Sequence, residues 1–478
     1  MSELSTPREV APSAASGPPV AGGPVLAGGE AATRDSAMGG LEVQPPSPRT
    51  MRRVMLSGAA GFFMETYDFG IYGLVAAYLS VEFFASADAT TSLLITWIVF
   101  AIPFLVRPIG GLILGAIGDR LGRKKVMLFS ILAIAVSTAL IGAIPSTAVI
   151  GIAAPIAVLL CRLVQGFVYG GETANAITFV GEWTPRRTRA SRLALVQAGA
   201  SAGNLFGSML AFVASYTLGP VLMQAWGWRA LFLLALPLAG IGLYIRLKID
   251  ETPAFRTLRE AGALTRNPIK DTVTDGSTRA GILKCVLLGA LQASGYYIIY
   301  IQLPAYLVKQ LGFSGSDGLL VTTLGLVLLL VMTPLWGRVA DRTGRRRLGV
   351  GAAVILAVMV VPCFLLIRSG SLGLAVVAVL AMTVVYSVHN ALTLGAIFEV
   401  LQTRTRSTAF SIAWGLCVAV FGGAAPFIST GLIALTGNTE APALLVVFAC
   451  ILSAIGYWWY RDPAPAPAAS GPSSPSPA

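Results

Sequence analysis

The feature that most constrains this chain is a repetition. Between residues 54 and 460, apolar stretches long enough to cross a bilayer follow one another. One crossing takes about 20 residues as a helix. Twelve such stretches can be marked, at 54–80, 92–117, 126–145, 149–176, 191–216, 227–247, 280–308, 318–339, 348–367, 372–398, 407–433 and 441–460. In hydrocarbon no water satisfies the backbone, and a helix is the only open-ended element that bonds all its own polar groups. The expected fold class is therefore an all-α membrane protein with twelve transmembrane helices.

Composition supports the same reading. Of 478 residues, 55% are apolar and only 12% charged, with a mean hydropathy of +0.76; a soluble domain carries about 25% charged residues. This excludes an ordinary soluble enzyme, a nucleic-acid binder and a secreted disulfide scaffold. The five cysteines (Cys161, Cys285, Cys363, Cys417 and Cys450) are far apart and have neither metal nor redox spacing. They read as small buried apolar side chains. A single histidine, His389, leaves room for neither a histidine-based zinc site nor a hydrolytic triad. No Gly-Lys pair occurs, so there is no phosphate-binding loop to spend ATP. No metal, no cofactor and no enzymatic activity are expected.

Charge placement divides the chain. Residues 1–50 and 463–478 are rich in Ala, Gly, Pro and Ser, and hold half of the 28 prolines; such segments bury too little surface to fold and read as disordered tails. One long polar interruption, 248–279, separates six spans (51–247) from six more (280–462). The segments before span 1, after even-numbered spans and after span 12, with their helix edges, hold 29 of the 34 Lys and Arg residues. The positive-inside rule then puts both tails and 248–279 in the cytoplasm. The +12 net charge forms a belt facing anionic lipid headgroups and leaves no nucleic-acid surface.

The two halves repeat. GAIGDRLGRKK (115–125) matches GRVADRTGRRR (337–347), and GEWTPRRTRAS (181–191) matches FEVLQTRTRST (398–408). Parallel six-span repeats place a substrate path between the halves near the midplane. The order six plus six, with G-x-x-x-D-R-x-G-R-(K/R) after spans 2 and 8, resembles the major facilitator superfamily. ETYDFGIYG (65–73), RPIGG (107–111), RLVQGFVYGGE (162–172), GWR (227–229) and DETPAF (250–255) resemble its metabolite:proton symporter family. YSVHNALTLGAIFEVL (386–401) and VFGGAAPFISTGLIALTG (420–437) look most like citrate and tricarballylate carriers. The resemblance covers about residues 52–460 and implies two pseudo-symmetric six-helix bundles, a proton-coupled carrier and a functional monomer.

Charged residues inside the spans are the candidate chemistry, because each costs about 2.5–3.5 kcal/mol to insert. Span 1 carries Glu65 and Asp68, with Tyr72 one turn further. Span 4 carries a stripe of Arg162, Gln165, Tyr169 and Glu172, flanked by the small residues Gly166 and Gly170. Arg162-x-x-x-Gly166-x-x-x-Gly170 is similar to a superfamily signature that implies proton coupling. Asp68 and Glu65 are accordingly the expected proton carriers, with Arg162 and Glu172 as partners; a static buried ion-pair network is the competing reading. Arg107 in span 2 is a substrate counter-ion or a helix-orienting pair. Gln197, Ser201, Asn204 and Ser208 on span 5, Gln292, Tyr296 and Tyr300 on span 7, and Tyr386, His389, Asn390 and Thr393 on span 10 form stripes suited to a wet cavity or to interhelical hydrogen bonds. Asp119, Arg120, Gly122 and Arg123, with Asp341 and Arg342 in the second repeat, read as hinge and gating residues.

The function these features point to is a proton symporter in the plasma or bacterial inner membrane. Its expected substrate is a small carboxylate, citrate or a related di- or tricarboxylate. An inside-negative potential opposes anion entry by about 2.3 kcal/mol per charge per 100 mV, and co-moved protons remove that penalty. The main alternative is symport of a zwitterion such as betaine or proline, which the mixed charges of Glu65, Asp68, Arg107, Arg162 and Glu172 also suit. The resemblance implies a coiled-coil tail for osmoregulatory members, and 463–478 has no heptad. Shikimate or 2-oxoglutarate symport, and a non-transporting sensor on the same fold, are further alternatives.

Overall fold

In the computed structural model the described residues run from 48 to 462, without 87, 122, 171–172, 174–176, 179, 182–183, 248–275 and 402–405. The two tails beyond Pro48 and Asp462, Glu172, Gly122 and most of the central loop therefore lie outside them. The described backbone is helical and follows the twelve-span reading. We label the helices α1 (Pro48–Leu74), α2 (Ala89–Leu121), α3 (Arg123–Ala143), α4 (Ala153–Tyr169), α5 (Arg189–Leu222) and α6 (Ala235–Leu247). The second set is α7 (Gly276–Tyr296), α8 (Gly315–Thr343), α9 (Arg345–Arg368), α10 (Leu372–Val400), α11 (Arg406–Cys417) and α12 (Ala441–Trp459).

Several boundaries differ from the hydropathy reading for local reasons. α1 stops at Leu74 and a short helix, Ala76–Phe83, takes up the rest of the first span. α7 begins at Gly276, inside the segment that hydropathy assigns to the central loop, because one more helical turn can carry polar residues at the membrane edge. The stretch Arg189–Tyr244 is apolar for 56 residues. It turns at Gly219, whose φ of 70° suits glycine, and Pro220 follows where no amide is needed. Two helices are continued by π turns: α7 by Tyr297–Gln302 and then Leu303–Leu311, α11 by Val418–Gly423 and then Ala424–Thr436.

The first six helices pack with one another, as do the last six, and the two bundles meet along α5–α8, α5–α10 and α2–α11. Apolar side chains also face outward: Leu435 is 86% exposed, Val221 79% and Val358 73%. A surface that leaves so much apolar area uncovered is built for lipid.

Close helix approach depends on glycine at α4. A Cβ on Gly166 would lie 2.4 Å from the Pro103 carbonyl oxygen, and one on Gly170 1.8 Å from that of Arg107. The small-xxx-small spacing on α4 thus receives the backbone of α2, which Pro103 and Pro108 interrupt. This contact sets where Arg107 points.

Candidate functional site

A cavity lies between the bundles and holds about 560 Å³ of atom-free space, mouth included. Its wall comes from both halves. α1 contributes Phe62, Glu65, Thr66 and Phe69; α2 contributes Arg107; α5 contributes Gln197 and Ala200. From the second half come Gln292, Ala293, Tyr296, Tyr297, Trp414 and Val418, with Thr173 beyond the end of α4.

Among the described residues, the charge in this wall is one ion pair. Arg107 Nη1 lies 3.3 Å from Glu65 Oε1, both nearly buried. The Thr173 hydroxyl donates to Glu65 Oε2 at 3.1 Å. Aromatic rings hold the guanidinium: its carbon is 4.6 Å from the centroids of Phe69 and Phe104 and 5.3 Å from that of Tyr169. A desolvated cation–π contact is worth about 2 kcal/mol. These rings offset part of the cost of burying Arg107 and fix its plane.

Arg162 does something different from the pairing its stripe suggests. It is fully buried, and its Nη1 donates to Gln165 Oε1 at 2.9 Å and its Nη2 to the Phe100 carbonyl at 3.2 Å. Phe69 and Tyr72 cover its faces at 4.4 and 4.5 Å. Gln165 Nε2 in turn donates to Thr138 Oγ1 at 2.7 Å, linking α4 to α3. Among the described residues Arg162 makes no ion pair, and the arginine paired with Glu65 is Arg107. Tyr72, whose hydroxyl donates to the Thr96 carbonyl at 3.3 Å, sits inside the first bundle as well. Neither Tyr72 nor Gln165 reaches the cavity.

Asp68 faces away from the central cavity. It lines a second, much narrower crevice with Gly61, Met64, Ile131, Ile134 and Tyr169. The Tyr169 hydroxyl is 3.3 Å from Asp68 Oδ2. Glu65 belongs to both spaces, so among the described residues it is the acid that links the ion pair to the Asp68 compartment.

The amide and hydroxyl residues divide similarly. Gln197, Gln292 and Tyr296 line the cavity, and Asn204 lies beside the Tyr296 hydroxyl. Asn390 joins the bundles behind them, accepting from Gln197 Nε2 at 3.2 Å and Gln292 Nε2 at 3.3 Å. Tyr300 is spent on Thr383 at 2.8 Å and Tyr386 on the Gln292 carbonyl at 2.6 Å. His389 is a packing residue: Nε2 meets the Gly349 carbonyl at 3.0 Å and its ring meets Tyr457 edge-on. Thr173, Tyr297 and Trp414 are wall residues that the sequence reading missed. Thr173 is one turn past Tyr169 and was findable on that ground; Tyr297 opens a π turn, where a period of 3.6 no longer predicts the face.

The repeated arginine-rich motifs meet at one end of the molecule. Asp341 Oδ1 accepts from the Ala190 amide at 2.9 Å and Oδ2 from the Ser191 amide at 3.1 Å, so the end of α8 caps the start of α5 in the other bundle. Glu399 pairs with Arg189 across the bundles at 3.5 Å and with Arg345 within its own. The Tyr460 hydroxyl donates to Glu399 at 2.6 Å, and Asp462 accepts from the Arg345 amide at 2.7 Å. Arg342 is exposed. Asp119 and Arg120 close α2 and Arg123 opens α3, but their side chains lie outside the described set. At the far end the GWR arginine, Arg229, pairs with Glu82 at 2.6 Å and donates to the Gly142 carbonyl at 3.1 Å.

Comparison with known proteins accords with this architecture. Residues 58–426 match the model of the Major Facilitator Superfamily. The chain is 32% identical over 415 residues to a proline/betaine transporter of Salmonella typhimurium, covering 85% of this chain and 82% of that one. It is 33% identical over 427 residues to a glycine betaine/proline/ectoine/pipecolic acid transporter of Dickeya dadantii (87% and 84% covered). To an ectoine/proline transporter of Corynebacterium glutamicum it is 33% identical over 420 residues (85% and 83%). Among solved structures, a D-xylose-proton symporter superposes with a TM-score of 0.68 over 85% of this chain and 97% of its own, at 17% identity, which speaks to the fold alone. These relatives are named for zwitterionic solutes, not for citrate or tricarballylate, so the narrower citrate resemblance is not supported. The chain is a transporter and no enzyme, a multi-pass membrane protein that belongs to the major facilitator superfamily.

Proposed function

We propose that this protein carries a small zwitterion of the proline or betaine type across the bacterial inner membrane, together with protons. The observation that carries the reading is the neutral ion pair in the cavity wall. A tricarboxylate brings about three negative charges, and Arg107, the one cavity arginine among the described residues, is already paired with Glu65 at 3.3 Å. Burying the remaining charges unpaired would cost several kcal/mol each. A zwitterion has one charge of each sign. Its carboxylate can take Arg107 while its ammonium faces the rings of Phe69, Tyr296, Tyr297 and Trp414, a cation–π setting. The relatives' names add support from outside the geometry.

Coupling follows from competition. A substrate carboxylate drawing on Arg107 weakens its ion pair with the buried Glu65 carboxylate, which is costly. Taking up a proton removes that cost. The Asp68 compartment beside Glu65 offers a route for the proton that the substrate does not occupy. α5–α8 and the Asp341 and Glu399 contacts close the arginine-rich end, which the Lys and Arg distribution puts in the cytoplasm; their release would open the cavity inward.

The test is uptake into proteoliposomes holding the purified protein. Proline, glycine betaine, citrate and shikimate are offered in turn, with the outside acidified or not. A zwitterion should accumulate only with the acid-outside gradient. Gradient-driven accumulation of citrate, with none of either zwitterion, would overturn the reading.

A further inference from the structure

The hydrogen bonds around Asn390 decide which atoms two cavity glutamines have left to offer. The Thr333 hydroxyl donates its one proton to the Leu329 carbonyl at 2.7 Å. Its oxygen can then only accept, so the Asn390 group 2.9 Å away is the amide nitrogen. The Asn390 carbonyl oxygen therefore faces the other way, toward Gln197 and Gln292. A carbonyl only accepts, so both glutamines must present their nitrogens to it, at 3.2 and 3.3 Å. What each retains is its carbonyl oxygen. Both side chains line the central cavity, are only 6% and 4% exposed, and their Oε1 atoms have no hydrogen-bond partner among the described residues.

Buried amide oxygens without donors are unfavourable, and two in one cavity are matched by a ligand that brings two donors. Resting on the zwitterion reading, we propose that Gln197 and Gln292 form a selectivity site for a secondary ammonium group, the ammonium of an imino acid, in preference to a quaternary one. A secondary ammonium carries two N–H bonds, one for each oxygen. A quaternary ammonium carries none and would press methyl groups on both oxygens, leaving them unsatisfied. The aromatic rings attract either cation; the two oxygens distinguish them. Because Asn390 stands on α10 and Gln197 on α5, the acceptor pair is complete only when the two bundles are together at this level.

The experiment compares L-proline with N,N-dimethylproline, which keeps the ring and carboxylate and lacks the N–H donors. Binding of each to the purified full-length protein is measured by calorimetry. Proline should bind at least about tenfold tighter, the scale of one buried acceptor left unmatched. Gln197→Met and Gln292→Met keep side-chain length without the amide; each should weaken proline far more than N,N-dimethylproline, so that the ratio falls toward one. Equal or tighter binding of N,N-dimethylproline by the unaltered protein overturns the selectivity site and leaves the zwitterion reading standing. An unchanged ratio in both folded Met variants also overturns it. Binding of neither zwitterion, with citrate bound, overturns both. The comparison on the unaltered protein stands even if a variant fails to fold.

Discussion

Glu65→Gln is the substitution that most directly probes the proposed coupling. At 3.3 Å and an effective dielectric near 20, the attraction between Glu65 and Arg107 is about 5 kcal/mol. Removing one partner of a buried pair costs about 3–5 kcal/mol, because the other charge is left without compensation. The ligand-free variant should therefore be less heat-stable in detergent. A zwitterion's carboxylate would now meet an Arg107 it need not take from Glu65. If binding recovers about 1.4 kcal/mol of that attraction, affinity rises about tenfold. The variant should bind substrate at least that much tighter and gain more thermal protection from it than the unaltered protein does. The glutamine is also a permanently uncharged mimic of the proton-loaded acid. Accumulation driven by a pH gradient should vanish while counterflow exchange persists. The assays are calorimetry, thermal denaturation with and without substrate, and gradient-driven uptake beside counterflow, each normalised to inserted protein. Unchanged affinity together with normal proton-driven accumulation would refute the competition argument.

Two further outcomes are expected. Gly166→Ala places a methyl 2.4 Å from the Pro103 carbonyl and should cost about 1–3 kcal/mol by forcing α4 from α2, whereas Gly240→Ala, with nothing within 4 Å, should be silent; equal yields and melting temperatures would contradict the packing account. Asp341→Asn keeps one acceptor for the Ala190 and Ser191 amides but loses the charge at the start of α5, a loss of about 1 kcal/mol. It should change transport rate more than equilibrium affinity, and collapsed affinity with a normal rate would sink the gating role.

The twelve helices and the acids of α1 were legible because lipid makes length and charge costly, and both show in a single sequence. Arg107, Gln197, Gln292 and Tyr296 stand out for the same reason. Pairing was not legible. The stripe on α4 correctly shows that Arg162, Gln165 and Tyr169 share a face, but which neighbour that face meets depends on how Gly166 and Gly170 seat α4 against α2. The result turns Arg162 to the Phe100 carbonyl and leaves Arg107 for Glu65. Tyr297 and Val418 escaped because each opens a π turn, where helical spacing slips. The citrate reading rested on motifs in the second half, whereas the ionised groups that bear on substrate charge stand in the first.

That last division has an electrical consequence. Among the described residues of the cavity wall, the ionised side chains belong to α1 and α2, and the second bundle contributes an amide, two phenols, an indole and aliphatic groups. When the bundles rock, work against the membrane potential is done only on charges that change depth. Toward the cavity, the described residues of the second bundle present shape and hydrogen-bonding groups without charge. Within the described cavity wall, the ionised groups on which such work would be done, Glu65 and Arg107, stand in the first bundle. Two halves that share a repeat thus differ in the charge they bring to the described cavity wall.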